Sequence, residues 1–347
     1  MQKANTYNSR EYLSRPIDFD LIGIGNPIVD VLAKSSEIEL TRLGLKKGAM
    51  TLIGAERAVQ LYSQMKIQLE ACGGSVANTL MGVTSLGGNC GFIGKICDDN
   101  AGRFFKNDLE TSGIEFRTPP SHDGLPTAQC LVFVTPDAQR TMQTCLGTSG
   151  DLSIADIDTD LIDRAAITYL EGYLLDTNSA KQLLIAAAIS ARKSKRLVAL
   201  SLSDHLCVER HRKSFLDIIS QHVDVIFANE IEITTLFEVE DFKKTIPQIR
   251  NYCELAIITR GSRGALIVTE TENISVPIKP VKNVIDTTGA GDLFAAGVLF
   301  GLSHNYDLSA CGLLGSIAAA EVITHYGAHP QTSLELIAQT ELGQTKQ

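Results

Sequence analysis

Residues 286–297 read "DTTGAGDLFAAG". Gly289, Ala290 and Gly291 predict a tight turn that opens a helix, because glycine tolerates the turn and lets a ligand approach the backbone closely. A helix start leaves backbone N–H groups without partners, which suits an anion such as phosphate. Yet Asp292 puts a carboxylate directly behind that turn. In one reading it is only a helix-start residue, which the helix dipole favours. In the other it is a general base that takes the proton of an attacking hydroxyl, an effect worth about 10²–10⁴-fold in rate. The free amides would then stabilise charge spreading over a phosphoryl group.

Outward from this stretch, short apolar runs alternate with helical patterns. "FDLIGIGN" (19–26), "CGFIGKI" (90–96), "AITYLEGYLL" (166–175), "RLVALSLSD" (196–204), "VDVIFANE" (223–230) and "ELAIITRG" (254–261) read as strands. "SVANTLMGVTSLG" (75–87) and "SAKQLLIAAAISARK" (179–193) have helical spacing. Near-continuous apolar strands between helices predict a mostly parallel sheet covered on both faces. Ligands of such sheets bind at the carboxyl ends of the strands, which brings "GIGNPIVD", "LSLSD", "FANE", "ITRG" and "DTTGAGD" to one cleft.

Two regions break the rhythm. Residues 31–53 show no clean helix after the first strand, and "TAQCLVFVT" (127–135) and "RTMQTCLG" (140–147) flank a "PDAQ" turn as a hairpin. The expectation is a single α/β domain over residues 18–340, a small β-lid formed by residues 31–54 and 122–148, and a loose leader over residues 1–17.

The chain has 347 residues, a formal net charge of −9 and 44% hydrophobic residues, enough for a large core. Its acidic balance speaks against nucleic acid and membrane surfaces as partners. No apolar run reaches the roughly 18 residues a membrane span needs. Eight cysteines stand singly, without a C-x-x-C pair, and read as free thiols of a cytoplasmic protein. There is no G-x-x-x-x-G-K-[ST] and no H-E-x-x-H; "GIGNPI" lacks the third glycine of G-x-G-x-x-G, and "GGSVAN" is not a nucleophile elbow.

With these exclusions made, "DTTGAGDLFAAG" resembles the C-terminal signature of the PfkB family, the ribokinase-like carbohydrate and nucleoside kinases. "GGSVANTLMGVTSLGGNCGFIGKICDDNAGRFF" (73–105) resembles its N-terminal signature, and "NEIE" (229–232) its N-x-x-E element. The resemblance implies a Rossmann-like αβα sandwich with a β-lid, and phosphoryl transfer from ATP·Mg²⁺ to a hydroxymethyl group. By position it implies Asp292 as catalytic base and Gly289, Ala290 and Gly291 as the anion hole. Asn229 and Glu232 would order Mg²⁺ and its waters, although Asn followed three residues on by Glu is also a capping box. Thr259, Arg260, Gly261 and Thr288 fall on the nucleotide side. Asp286, with Thr288, is placed near a monovalent cation such as K⁺, as in some relatives.

The acceptor end is read from "GNPIVD" and "GGSVAN". Asp30 suits a vicinal diol, because a carboxylate accepts two hydrogen bonds at once. Asn26, Gly73, Gly74, Ser75 and Asn78 join it as substrate-binding candidates, with Ser75 also readable as a helix cap. Ile28, Leu131, Phe133 and Tyr173 are candidates for an apolar adenine slot, although each reads more readily as core or lid packing. "GNPIVD", "CGGSVAN" and "IDTTGAGD" resemble the adenosine kinase branch, where Arg140, after the hairpin turn, would approach the phosphates. The expected reaction is therefore phosphorylation of the ribose 5′-hydroxyl of adenosine. Another purine nucleoside, a ribokinase- or fructokinase-type sugar kinase, and an inactive nucleoside- or sugar-binding sensor are the alternatives. Monomer and homodimer are both compatible with the family.

Overall fold

The computed structural model describes residues 16–137, 139–177 and 179–345. Most of the expected leader lies outside the described residues.

In chain order the first strands are β1 (Phe19–Ile24), β2 (Ile28–Lys34), β3 (Met50–Leu52), β4 (Ile67–Gly73), β5 (Cys90–Ile93), β6 (Ile114–Phe116), β7 (Ala128–Val134) and β8 (Arg140–Cys145). They are followed by β9 (Ala165–Glu171), β10 (Leu197–Ser201), β11 (Val225–Asn229), β12 (Leu255–Thr259), β13 (Ala265–Thr269) and β14 (Asn273–Val276). Nine form one sheet in the order β14-β13-β12-β11-β10-β9-β1-β5-β6. From β12 to β6 every pairing is parallel, and β13 and β14 close one edge as antiparallel strands. The apolar runs form this sheet because both of its faces are covered. One face packs under the helices Ser75–Ser85, Ala290–Ser303 and Leu308–Val322, the other under Ala180–Lys193 and His205–His222. The fold is the α/β sandwich expected from the alternation. No helix among the described residues is long and apolar enough to cross a membrane.

The five remaining strands form a second sheet in the order β3-β8-β7-β2-β4. Val31 of β2 and Leu131 and Phe133 of β7 are buried together with Leu40 and Leu61 from the short helices Glu37–Arg42 and Ala55–Tyr62. The 127–147 hairpin is present as β7 and β8. This sheet takes in more chain than the two stretches read from sequence, since β4 lies outside both.

The chain crosses between the sheets at Gly25–Pro27 and again at Gly73–Gly74. Gly74 has φ +95, and a Cβ there would lie 2.4 Å from the Asn26 carbonyl oxygen. Both the backbone sign and the contact demand glycine. Gly74→Ala is expected to lower stability by about 2 kcal/mol or more, read as a drop in the urea unfolding midpoint. A variant as stable as the parent would show that the junction yields easily.

Candidate active site

The turn before the helix Ala290–Ser303 is built as its glycines predict. Gly289 is the N-cap at φ +74, packed so tightly that a Cβ would meet Ala328 Cβ at 2.7 Å. No side chain among the described residues caps this helix. Ala290 N–H donates to Thr287 O at 3.2 Å, whereas the amides of Gly291 and Asp292 have no hydrogen-bond partner among the described residues. The free donors of the expected anion hole are thus those of Gly291 and Asp292, and Ala290 supports the turn instead.

Asp292 is held from the facing helix. Ser75 Oγ donates to Asp292 Oδ1 at 2.7 Å and Asn78 Nδ2 donates to Oδ2 at 2.9 Å. One helical turn separates the two donors, so both reach the same carboxylate. Ser75 therefore grips the acid rather than capping its own helix, whose N-cap is Gly74. Burial raises the Asp292 pKa above the ordinary carboxylate value, and the two donors pull it back in part. A raised pKa is the direction in which a carboxylate becomes a better base near neutral pH.

Asp30, on β2, lies at the root of the smaller sheet. Gly73 pairs with Ile28 on the neighbouring strand, and a Cβ on Gly73 would stand 2.5 Å from Asp30 Oδ2. Glycine there makes room for the carboxylate. Burial pushes the Asp30 pKa up to about 7, with Arg140 lowering it and Asp292 raising it. Arg140 of β8 reaches from the smaller sheet to the anion turn, donating to Thr288 Oγ1 and pairing with Asp286 Oδ2. Asp286 Oδ1 also accepts from Thr288 N–H (3.0 Å) and Thr288 Oγ1 (2.8 Å), and Oδ2 from Gly327 N–H (3.0 Å). Both Asp286 oxygens face donors, so this arrangement gives no support to Asp286 as a cation ligand. Thr288 is likewise engaged within the turn, and its neighbour Thr287 lines the larger cavity described next.

Two cavities meet at this turn. The larger, about 570 Å³, is walled by Ile278, Pro280, Val281, Val284, Phe294 and Ile323, with Thr259 and Gly261 at its strand-end side. The smaller, about 100 Å³, is of mixed character, lined by Asp292, Ser75, Ser201, Ser203, Asn229 and Glu232 and by apolar residues such as Phe227 and Ile257. Asn229 and Glu232 do form the capping box: Glu232 N–H donates to Asn229 Oδ1 (2.9 Å) and Asn229 N–H to Glu232 Oε2 (2.9 Å). Glu232 nonetheless faces the small cavity, where burial raises its pKa to about 7. Arg260 is a correction. Its Nε donates to Glu230 Oε1 at 3.0 Å, its guanidinium lies 5.2 Å from the Phe242 ring centroid, and it lines neither cavity. Leu131 and Phe133 are buried beneath the smaller sheet's helices, and Ile28 and Tyr173 line neither cavity.

Sequence reasoning missed the loop Ile278–Val284, which has no regular pattern. It also missed Ser203, whose φ of +68 is unusual for a non-glycine residue and follows from its place in the turn after β10. Glu171, at the end of β9, was read as plain strand. It is fully buried, accepts from Asn26 Nδ2 (2.9 Å) and Asn26 N–H (3.2 Å), and has its pKa raised to about 7 by burial. Asn26 is thus bound to a carboxylate that no motif announced.

Free helix-start amides beside a half-buried carboxylate, at the carboxyl ends of parallel strands, are the equipment of a phosphoryl-transfer site. Residues 47–334 match the family model of the pfkB family carbohydrate kinases, and the chain belongs to that family. An adenosine kinase structure from Sinorhizobium meliloti is 41% identical, with a TM-score of 0.88, covering 93% of this chain and 99% of that one. A probable sugar kinase from Rhizobium etli is 39% identical, with a TM-score of 0.88, covering 94% of this chain and 98% of that one. Among sequence relatives, a probable chloroplastic fructokinase-6 of Arabidopsis thaliana is 30% identical over 255 residues, which is 69% of this chain and 64% of that protein.

Proposed function

We propose that this kinase transfers the terminal phosphoryl group of ATP·Mg²⁺ to the ribose 5′-hydroxyl of adenosine, forming AMP for purine salvage in the cytoplasm. Residues 18–340 act as one kinase domain, with the smaller sheet as its lid. The observation that carries the reading is the Asp292 carboxylate, fixed by Ser75 and Asn78 beside the free amides of Gly291 and Asp292. Asp292 takes the hydroxyl proton while those amides face the phosphoryl oxygens. Asp30 receives the vicinal diol, and the apolar 570 Å³ cavity takes the base of ATP. Support for adenosine as acceptor comes from the 41% identical adenosine kinase and from Asp30, half-buried at the root of the lid sheet.

The residues present fit a hydrated divalent cation. Glu232 is a buried carboxylate facing the same cavity as Asp292, and no basic side chain among the described residues acts on it. Mg²⁺ keeps most of its waters, so outer carboxylates and the triphosphate suffice to hold it. When bound, the metal neutralises charge on the transferring phosphate; Glu232 and Asn229 would orient its waters.

The second reading is a sugar kinase of the ribokinase or fructokinase type, favoured by the fructokinase relative. A coupled ADP-release assay over adenosine, guanosine, inosine, ribose and fructose separates them. Adenosine-dependent turnover is expected; turnover with free sugars alone would overturn the proposal. In the same assay kcat/KM has an acid limb. Asp292 must be ionised to act, and its pKa is raised from 3.8, so activity falls with pH well before an ordinary carboxylate would protonate. Asp30, at about 7, deepens that fall. A profile that stayed flat from about pH 9 down to about pH 4 would contradict a carboxylate base.

A further inference from the structure

Glu171 holds three N–H groups and meets no cation among the described residues. Its Oε1 accepts from Asn26 Nδ2, and its Oε2 accepts from Asn26 N–H and, at 3.5 Å, from Val76 N–H. Gly25 makes room for it: a Cβ there would stand 2.3 Å from Glu171 Oε2. No salt bridge among the described residues includes Glu171, and the nearby charge that acts on it is that of Asp292. An ion-paired role is thereby excluded, and a carboxylate at this depth is costly unless its bonds do something.

Asn26 turns its NH₂ toward Glu171 and its carbonyl oxygen away, the orientation that the accepting oxygens of a carboxylate favour. That oxygen, Asn26 Oδ1, is buried and has no partner among the described residues, on a side chain only 1% exposed. Asn78 repeats the pattern: its Nδ2 is fixed on Asp292, and its Oδ1 is buried without a partner among the described residues. Two amide oxygens are thus left as oriented acceptors, each held by a carboxylate behind it.

We infer that Glu171 is a positioning residue of the acceptor site. It sets the sense of the Asn26 amide, so that Asn26 Oδ1 meets a hydroxyl donated by the substrate. Through Val76 N–H it also ties the lid root to the helix that carries Ser75 and Asn78. The inference rests on the kinase reading above and adds a requirement for a hydroxyl-bearing acceptor to it.

The test uses steady-state kinetics of the full chain with whichever acceptor the screen selects. In Glu171→Gln the side-chain amide no longer dictates the sense of Asn26, and KM for the acceptor rises about tenfold or more, with KM for ATP unchanged. Asn26→Asp alone sets two carboxylates against each other and is at least as impaired. The double variant Asn26→Asp/Glu171→Gln exchanges the two functional groups. The introduced glutamine donates its Nε2 to the introduced aspartate, its carbonyl oxygen accepts the two backbone amides, and an acceptor oxygen again faces the site. Its acceptor KM returns to within about threefold of the parent. Restored pairing alone would recover stability; a selective recovery of acceptor KM, with KM for ATP unmoved, is what a merely structural carboxylate would not give, and the double variant supplies that readout even where a single variant fails to fold. An acceptor KM unmoved by Glu171→Gln, an equal rise in KM for ATP, or a double variant no better than the singles would overturn the inference. The identity of the acceptor would still be settled separately by the screen.

Discussion

Asp292→Asn lowers kcat by about 10²–10⁴-fold, the usual contribution of a general base, while the KM for ATP changes little. The carboxylate of Asp292 receives Ser75 Oγ at 2.7 Å and Asn78 Nδ2 at 2.9 Å, so an asparagine keeps the shape and one of the two acceptor positions. It loses the capacity to take a proton. The amides of Gly291 and residue 292 belong to the backbone and survive the change, which is why nucleotide binding persists. Single-turnover measurement with saturating ATP isolates the chemical step. Turnover within about tenfold of the parent would remove Asp292 from the role of base.

Asp30→Ala acts on the other substrate. Two charge-assisted hydrogen bonds to a diol are lost, and the acceptor KM is expected to rise by about two orders of magnitude with a smaller change in kcat. The same variant carries a stability signature of defined sign. The folded-state pKa of Asp30, about 7, lies above its ordinary 3.8. Its neutral form is the one the fold accommodates. Its stabilising contribution is complete below about pH 3.8 and is lost as pH rises toward and through about 7. Removing the group removes that loss. The melting temperature of Asp30→Ala, relative to the parent, should therefore climb between about pH 5 and about pH 8. Thermal melts at both pH values check it. A difference that is flat or falls with pH would mean that Asp30 is not a desolvated acid in the folded protein.

The parallel sheet was readable because its strands are buried on both faces and so appear as unbroken apolar runs. The helix start at Gly289 was readable because few residues other than glycine tolerate its φ of +74. β4, "IQLEACG", escaped notice because it is exposed over most of its length and shows neither clear alternation nor a continuous apolar run. β13 and β14 escaped because an edge hairpin of five and four residues is little more than turn chemistry in one dimension. Within the site, the residues on the signatures were found, but their partners were not. Ser75 and Asn78 lie more than two hundred residues from the carboxylate they hold, and Glu171 lies 145 residues from Asn26. The second pairing comes from sheet order, since β9 and β1 are neighbours only in the folded chain, and the first from two helices packed on the same face of the sheet. Arg260 shows the reverse error. It follows the strand end as the pattern requires, yet a neighbouring glutamate and a phenylalanine ring draw it aside.

Thr259 and Gly291 line both cavities, so the larger apolar chamber and the smaller one meet across a wall that includes these two residues. A single compound that joins a flat apolar head to a polar tail through a short tether can occupy both at once. Once its head is seated, the tail is confined beside its own pocket at a local concentration set by the tether, on the order of millimolar for a short flexible one. Two weak fragments joined across Gly291 would therefore hold far more tightly than either does alone, and the tether length that binds best measures the thickness of that wall.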